Sequence, residues 1–254
     1  MGRQYIDRVP SPEPPLSLTS LLSRSPVFAL PTQCALCRGW GRERLCGACT
    51  DRFVRHVPRC LRCALQVPEG ASVCGSCAKQ PPPFDTALAA LDYGHPWDRL
   101  IASFKFHAAL DLVAPLAHTL VHAWRLSGRQ QPELLVPVPL AASRLRERGY
   151  NQAWQIARRL ARVLGCAADD RLLHRVRDTP HQLAFPPERR AANVQAAFMA
   201  EPARLAALRG RRITLVDDVM TTGATAAEIT RVLQHAGAAA VDVWVLARTP
   251  APTD

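Results

Sequence analysis

From residue 84 onward, short apolar runs alternate with stretches whose apolar positions recur every three or four residues. Residues 86–93 read as a strand, and residues 97–106 as an amphipathic helix with Leu100, Ile101 and Phe104 on one face. A longer helix is predicted over residues 110–125, a short buried strand over 134–138 and, after a loop, a helix over 151–164. Further strands are expected at 172–176, 213–216 and 241–246, the last ended by Pro250, with a helix over 224–235 between the final two. The segment 177–192 is polar, broken by proline and rich in arginine, which predicts a long mobile loop. This alternation predicts a mostly parallel sheet covered by helices on both faces, an α/β fold.

The first 83 residues lack that rhythm. Residues 1–31 read as a flexible N-terminal segment, with Pro10, Pro12, Pro14 and Pro15 ahead of one amphipathic turn at Leu18, Leu21 and Leu22. Nothing in it has the basic start and apolar core of a secretory signal, and no apolar run in the chain is long enough to span a bilayer. The expected location is the cytoplasm, without membrane insertion, where thiols stay reduced and clustered cysteines serve as metal ligands. Eight of the nine cysteines form four Cys-x-x-Cys pairs: Cys34 and Cys37, Cys46 and Cys49, Cys60 and Cys63, Cys74 and Cys77. A tight turn of this kind aims two sulfurs at one ion, and tetrahedral zinc takes four, so two structural zinc sites are expected in a double zinc ribbon over 32–80. Pairing of consecutive knuckles is the first choice; a crossed arrangement satisfies the spacing as well. Cys166 stands apart as an ordinary small core residue. The proline-rich break at 80–83 separates the ribbon from a larger domain over 84–250.

Charge narrows the range of ligands. The chain of 254 residues carries a formal charge of +11, and Lys79 and Lys105 are its only lysines. Arginine presents a planar, permanently charged fork suited to phosphate, which points to phosphorylated ligands or nucleic acid. The ribbon is itself arginine-rich, suiting a phosphate backbone or a protein surface.

The most informative stretch runs from Ile213 to Thr225. An apolar strand delivers Asp217 and Asp218 to its carboxyl end, Val219 and Met220 follow, and Thr221, Thr222, Gly223, Ala224 and Thr225 lead into a helix. A helix N-terminus offers free N–H donors and positive partial charge to a phosphate. The acids repel that phosphate and suit the hydroxyls of a sugar beside it. A ribose carrying a 5-phosphate satisfies both halves, whereas an ordinary helix cap needs only one such residue.

This stretch resembles the signature of type I phosphoribosyltransferases, which bind 5-phosphoribosyl-1-pyrophosphate (PRPP). The Val136-Pro-Val-Pro139 run, the stretch from Arg144 to Gln152, the residues Arg175, Asp178, Thr179, Gln182, Arg189, Asn193 and Phe198, Phe104-Lys105-Phe106 and the paired ribbons are similar to the ComF family, which includes proteins named GntX. The resemblance implies a type I phosphoribosyltransferase fold in the larger domain. It implies that Asp217 and Asp218 hold the ribose diol, that residues 219–225 complete the PRPP site, and that Arg144, Arg146 and Arg148 face the pyrophosphate. Magnesium would arrive with PRPP. The stretch from Arg175 to Asn193, with Arg175 and Arg189 counted as catalytic alongside the acids, would close over the site. Two functions remain open under the resemblance: a phosphoribosyltransferase with an unidentified acceptor, linked to competence and DNA uptake, or a PRPP-sensing module that binds nucleic acid or protein. The partners implied are PRPP, single-stranded DNA and a competence helicase or translocase.

Overall fold

The computed structural model describes residues 31–176 and 197–251. The leucine turn near the N-terminus, the loop expected over 177–192, and Arg189 lie outside the described residues.

In the N-terminal module, β1 (Thr32–Gln33) pairs antiparallel with β2 (Trp40–Gly41). Two short helices, α1 (Gly47–Phe53) and α2 (Gly75–Lys79), start directly after Cys46 and Cys74. Then follow β3 (Thr86–Asp92), α3 (Trp97–Phe106), α4 (Val113–Leu126) entered through a 3-10 turn at Leu110–Leu112, β4 (Leu134–Pro137), α5 (Ala142–Arg148), α6 (Gln152–Leu164) and β5 (Ala167–Ala168). The chain continues through β6 (Leu173–Arg175), β7 (Phe198–Ala200), α7 (Leu205–Leu208), β8 (Arg212–Met220), α8 (Ala224–His235) and β9 (Ala240–Arg248).

Five strands form one parallel sheet in the order β3-β9-β8-β4-β5. The two-residue period of the strands decides which side chain goes where. Leu88, Ala90, Val216, Trp244 and Leu246 join a core with α3, α4 and α6, while Ala87, Ala89, Ile213, Leu215, Val243 and Val245 join a second core with α8. Burial on both faces explains why β8 and β9 read as nearly continuous apolar runs. Helix α6 shows the matching logic at helical spacing: Ala153, Ile156, Ala157 and Leu160 are buried, and Arg158 and Arg162 face solvent. Burying Ile156 and Leu160 contributes about 1.5–3 kcal/mol each. Gly165 ends the helix in the left-handed conformation, at φ 69°, where a side chain is strained.

The ribbon joins both cores. Cys34, Leu45 and Cys49 pack into the first, with Trp97 and Leu112, and Ala64 into the second, with Phe84.

Three expectations change. The strand expected at 172–176 lies outside the main sheet; β6 pairs antiparallel with β7 instead. The stretch expected as a loop before α6 contains α5, and β8 and β9 run on to Met220 and Arg248, past the residues expected to end them.

Candidate functional site

The carboxyl ends of β4 and β8, with the last turn of α3 and the start of α8, surround a cavity of about 310 Å³. Ligands of open parallel sheets bind outside the carboxyl ends of the strands, and this is such a position. Strand β8 carries Asp217 and Asp218 in while it is still paired with β9, so the acids sit on rigid backbone. Asp218 is buried, and its Oδ2 is without a hydrogen-bond partner among the described residues. Asp217 is half-buried and accepts the Asp218 backbone N–H at 2.8 Å. Burial and the adjacent Asp218 carboxylate push the Asp217 carboxyl up to about 7, against the opposing pull of Lys105, the Asp218 N–H and Arg175.

Residues 221–225 line the same cavity, with Val219, Met220 and Ala226. Gly223 caps α8 at φ 84°, a left-handed conformation that lets the chain turn from strand to helix within three residues. Its α-carbon face rests on the Phe84 ring and Met220 Sδ, where an added Cβ would lie 3.6–3.7 Å from both. The N-terminus of α8 therefore opens on the cavity with a hydroxyl-rich loop ahead of it.

Part of the lining is basic. Arg144 and Arg148 are four residues apart on α5, share one face and line the cavity. Arg146 lies between them on the other side of the helix, exposed, and is not among the lining residues. The expectation of three arginines in this lining reduces to two, because the stretch is a helix and not a loop. Arg175 also lines the cavity, at the end of β6, with its guanidinium 5.5 Å from the centre of the Phe198 ring.

Sequence reasoning gave Lys105 no part in the site. Its Nζ lies 3.0 Å from Asp218 Oδ1. Burial disfavours the ammonium, but the Asp218 carboxylate outweighs it and holds the pKa above the ordinary lysine value. The available signal was one of only two lysines in the chain, set between Phe104 and Phe106 at the end of an amphipathic helix. Tyr150 fixes this turn by donating its hydroxyl to the Phe104 carbonyl. Asn151 accepts from the Trp154 N–H to cap α6 and donates Nδ2–H to the Val138 carbonyl at 3.0 Å, tying that cap to the end of β4.

The cysteines form two sets of four, Cys34 with Cys37, Cys46 and Cys49, and Cys60 with Cys63, Cys74 and Cys77, each with its sulfurs within 4.8 Å of one another. Consecutive knuckles pair, and the crossed alternative is excluded. Cys37 and Cys46 sulfurs are 3.8 Å apart, and those of Cys63 and Cys74 3.6 Å. Tetrahedral zinc with bonds of about 2.3 Å requires sulfurs about 3.8 Å apart, so both sets fit the ion. Cys166 belongs to neither.

The double zinc ribbon domain family matches residues 27–78. The DNA utilization protein YhgH of Salmonella typhimurium is 35% identical over 233 residues, covering 88% of this chain and all of that protein. The protein of that name from Escherichia coli K12 is 34% identical over 230 residues, with the same coverage. Competence protein F of Haemophilus influenzae is 34% identical, covering 85% of this chain and 96% of its own length. Among solved structures, the allosteric regulatory enzyme of purine biosynthesis aligns with 52% of this chain and 25% of its own at 20% identity and a TM-score of 0.35. TT1426 from Thermus thermophilus aligns with 57% of this chain and 84% of its own, at 20% identity and a TM-score of 0.30. No described helix is long and apolar enough to cross a membrane. Full-length relatedness to YhgH and competence protein F, with both cysteine sets in place, makes this chain a member of the ComF family.

Proposed function

We propose that the chain binds PRPP with magnesium in the cavity and transfers its phosphoribosyl group to an acceptor, in the service of DNA handling. One observation carries this reading: two acids, one with an unpartnered buried oxygen, line one cavity together with a threonine-bearing helix N-terminus and three arginines. The 221–225 loop and α8 take the 5-phosphate. Asp217 and Asp218 accept hydrogen bonds from the ribose diol, and Arg144, Arg148 and Arg175 face the diphosphate. As an acceptor lone pair forms a bond to the anomeric carbon, the bond from that carbon to diphosphate oxygen breaks, and diphosphate leaves with the electron pair. The arginines and Lys105 neutralise the charge that develops on it. The Asp217 and Asp218 carboxylates suit a hard cation, and magnesium brought by the ligand would further neutralise the diphosphate. The test is pyrophosphate release with PRPP, magnesium and a panel of acceptors. No release above spontaneous hydrolysis, with tight PRPP binding, would reduce the reading to a PRPP-sensing module. No PRPP binding would end it.

A second reading, single-stranded DNA binding by the ribbon, is favoured by Trp40, which is 73% exposed on β2 between exposed Arg38 and Arg42. An exposed indole flanked by arginines suits base stacking with phosphate contacts. Not all the ribbon arginines serve: Arg44 pairs with Asp111 at 2.5 Å and Arg59 with Asp92 at 2.8 Å. Replacing Arg38, Arg42 and Arg55 by alanine should lower the salt dependence of binding, while Arg44→Ala should not. Salt-independent binding would instead favour a protein partner, such as a competence helicase or translocase.

A further inference from the structure

One buried side chain joins the second cysteine set to the threonine loop that lines the binding cavity. Arg248 ends β9, in register with Met220 on β8 and Asp92 on β3, and is 5% exposed. Its Nε donates to the carbonyl of Cys63, a member of the second set, at 2.9 Å. Its Nη1 donates to the carbonyls of Met220 at 3.0 Å, Thr249 at 2.8 Å and Thr221. A single guanidinium thus holds both the backbone of a metal-binding knuckle and the backbone where the threonine loop begins. The knuckle is further tied to the sheet: the Ala87 N–H donates to the Leu61 carbonyl at 2.9 Å. Ala64 belongs to the same core as Phe84, whose ring lies against Gly223.

We propose that Arg248 is a positioning residue that couples the metal state of the Cys60, Cys63, Cys74 and Cys77 set to phosphate binding by the 221–225 loop. With the four thiolates drawn onto one ion, the Cys63 carbonyl is fixed, and Arg248 fixes Thr221 against it. Without the ion the knuckle loosens, Arg248 loses a partner, and the loop loses its anchor. The coupling is reciprocal: a ligand that orders the loop strengthens metal binding at this set, and not at the Cys34 set. The inference rests on the proposed reading of the loop as a phosphate site.

The test uses ribose 5-phosphate and the zinc-loaded full chain. Arg248→Met should keep about two zinc ions per chain and bind ribose 5-phosphate about tenfold or more weakly. Arg248→Lys, which keeps the charge but not the fork, should recover part of that loss. Cys74→Ser should also weaken binding, but not further in the Arg248→Met background, because both changes cut the same link. A wild-type measurement stands apart from variant folding: with cadmium in both sets, ribose 5-phosphate should move the cadmium resonance of the second set alone. Unchanged affinity in zinc-loaded Arg248→Met, additive losses, or an unmoved cadmium resonance with ligand bound would overturn the coupling alone. Failure of the wild type to bind ribose 5-phosphate would overturn the phosphate site together with it.

Discussion

The two cysteine sets have the same ligand spacing style and opposite attachments. The Cys34 set is held mainly by apolar packing, with Cys34, Leu45 and Cys49 in one core beside Trp97 and Leu112. A few polar contacts assist it: Trp97 Nε1 donates to the Phe53 carbonyl at 3.1 Å, and Arg44 pairs with Asp111. The Cys60 set is held mainly by hydrogen bonds to strand ends, through Arg248, Arg59 and the Ala87 N–H. Apolar packing is non-directional, so the first attachment contributes stability without dictating the geometry of distant atoms. Hydrogen bonds are directional, so the second can transmit position. A repeated module has been joined to one domain twice, once by packing and once by directed bonds.

The largest expected effect separates the two sets. Replacing Cys34 and Cys37 by serine should leave about one zinc per chain, since each closed site takes four thiolates. A structural zinc supplies about 10–16 kcal/mol of binding energy in isolated zinc-finger peptides, so the stretch around this set should become open to proteolysis. PRPP affinity should change little. A large ligand-specific loss in this variant would break the comparison.

Next comes the cavity itself. Asp218→Asn should weaken PRPP and ribose 5-phosphate binding by about 1.5–3 kcal/mol, because a charge-assisted hydrogen bond is lost. Inorganic phosphate, which needs only the 221–225 loop, should bind as before, while Thr222→Ala should weaken all three ligands. Calorimetric titration with zinc analysis checks both, and zinc content should stay unchanged in either variant.

The pH dependence is smaller near neutrality and reaches about a hundredfold only at pH 5. A ribose diol needs Asp217 ionised, and its carboxyl lies at about 7 in the free chain. PRPP affinity should therefore be flat above that value and fall about tenfold per pH unit below it, with uptake of one proton opposing binding. Stability of the free chain runs the other way. The folded value exceeds the ordinary 3.8, so the folded state holds the proton more tightly. The contribution of this group is full below pH 3.8 and is lost as pH rises through about 7. Titrations and thermal melts between pH 5 and 8 would expose an opposite slope.

The smallest effect tests the packed attachment. Trp97→Phe keeps an aromatic ring in the core, removes the N–H donated to Phe53 and leaves part of the indole volume unfilled, and should cost about 1 kcal/mol or somewhat more. Urea unfolding should register it, with zinc content and PRPP affinity unmoved.

Legibility in the sequence followed physical cause. Helices α3 and α8 have the predicted bounds, because an apolar stripe and clear end signals agree there. Helix α5 has no helical signature in the sequence, because it buries no residue and so carries no apolar stripe. Strand β6 was recognisable as a strand, but alternation says nothing of its partner, and that partner is β7. The acid pair, the threonine loop and all eight zinc-site cysteines were legible because each is a local cluster. Lys105 and Arg248 were not. They act across 113 and 185 residues of sequence, on Asp218 and Cys63, and only the folded sheet brings those partners together.

The Lys105–Asp218 ion pair has a consequence for discrimination among sugars. In the free chain Asp218 Oδ1 already has a cationic partner, so the oxygen open to a ligand is Oδ2. On the proposed reading, a ribose diol supplies one hydroxyl for that oxygen and one for Asp217. A 2-deoxyribose phosphate offers one hydroxyl fewer and would leave one of the two acids without a partner. The cavity would then disfavour the sugar of DNA even when DNA lies nearby, because an unmet acceptor in a buried site costs free energy.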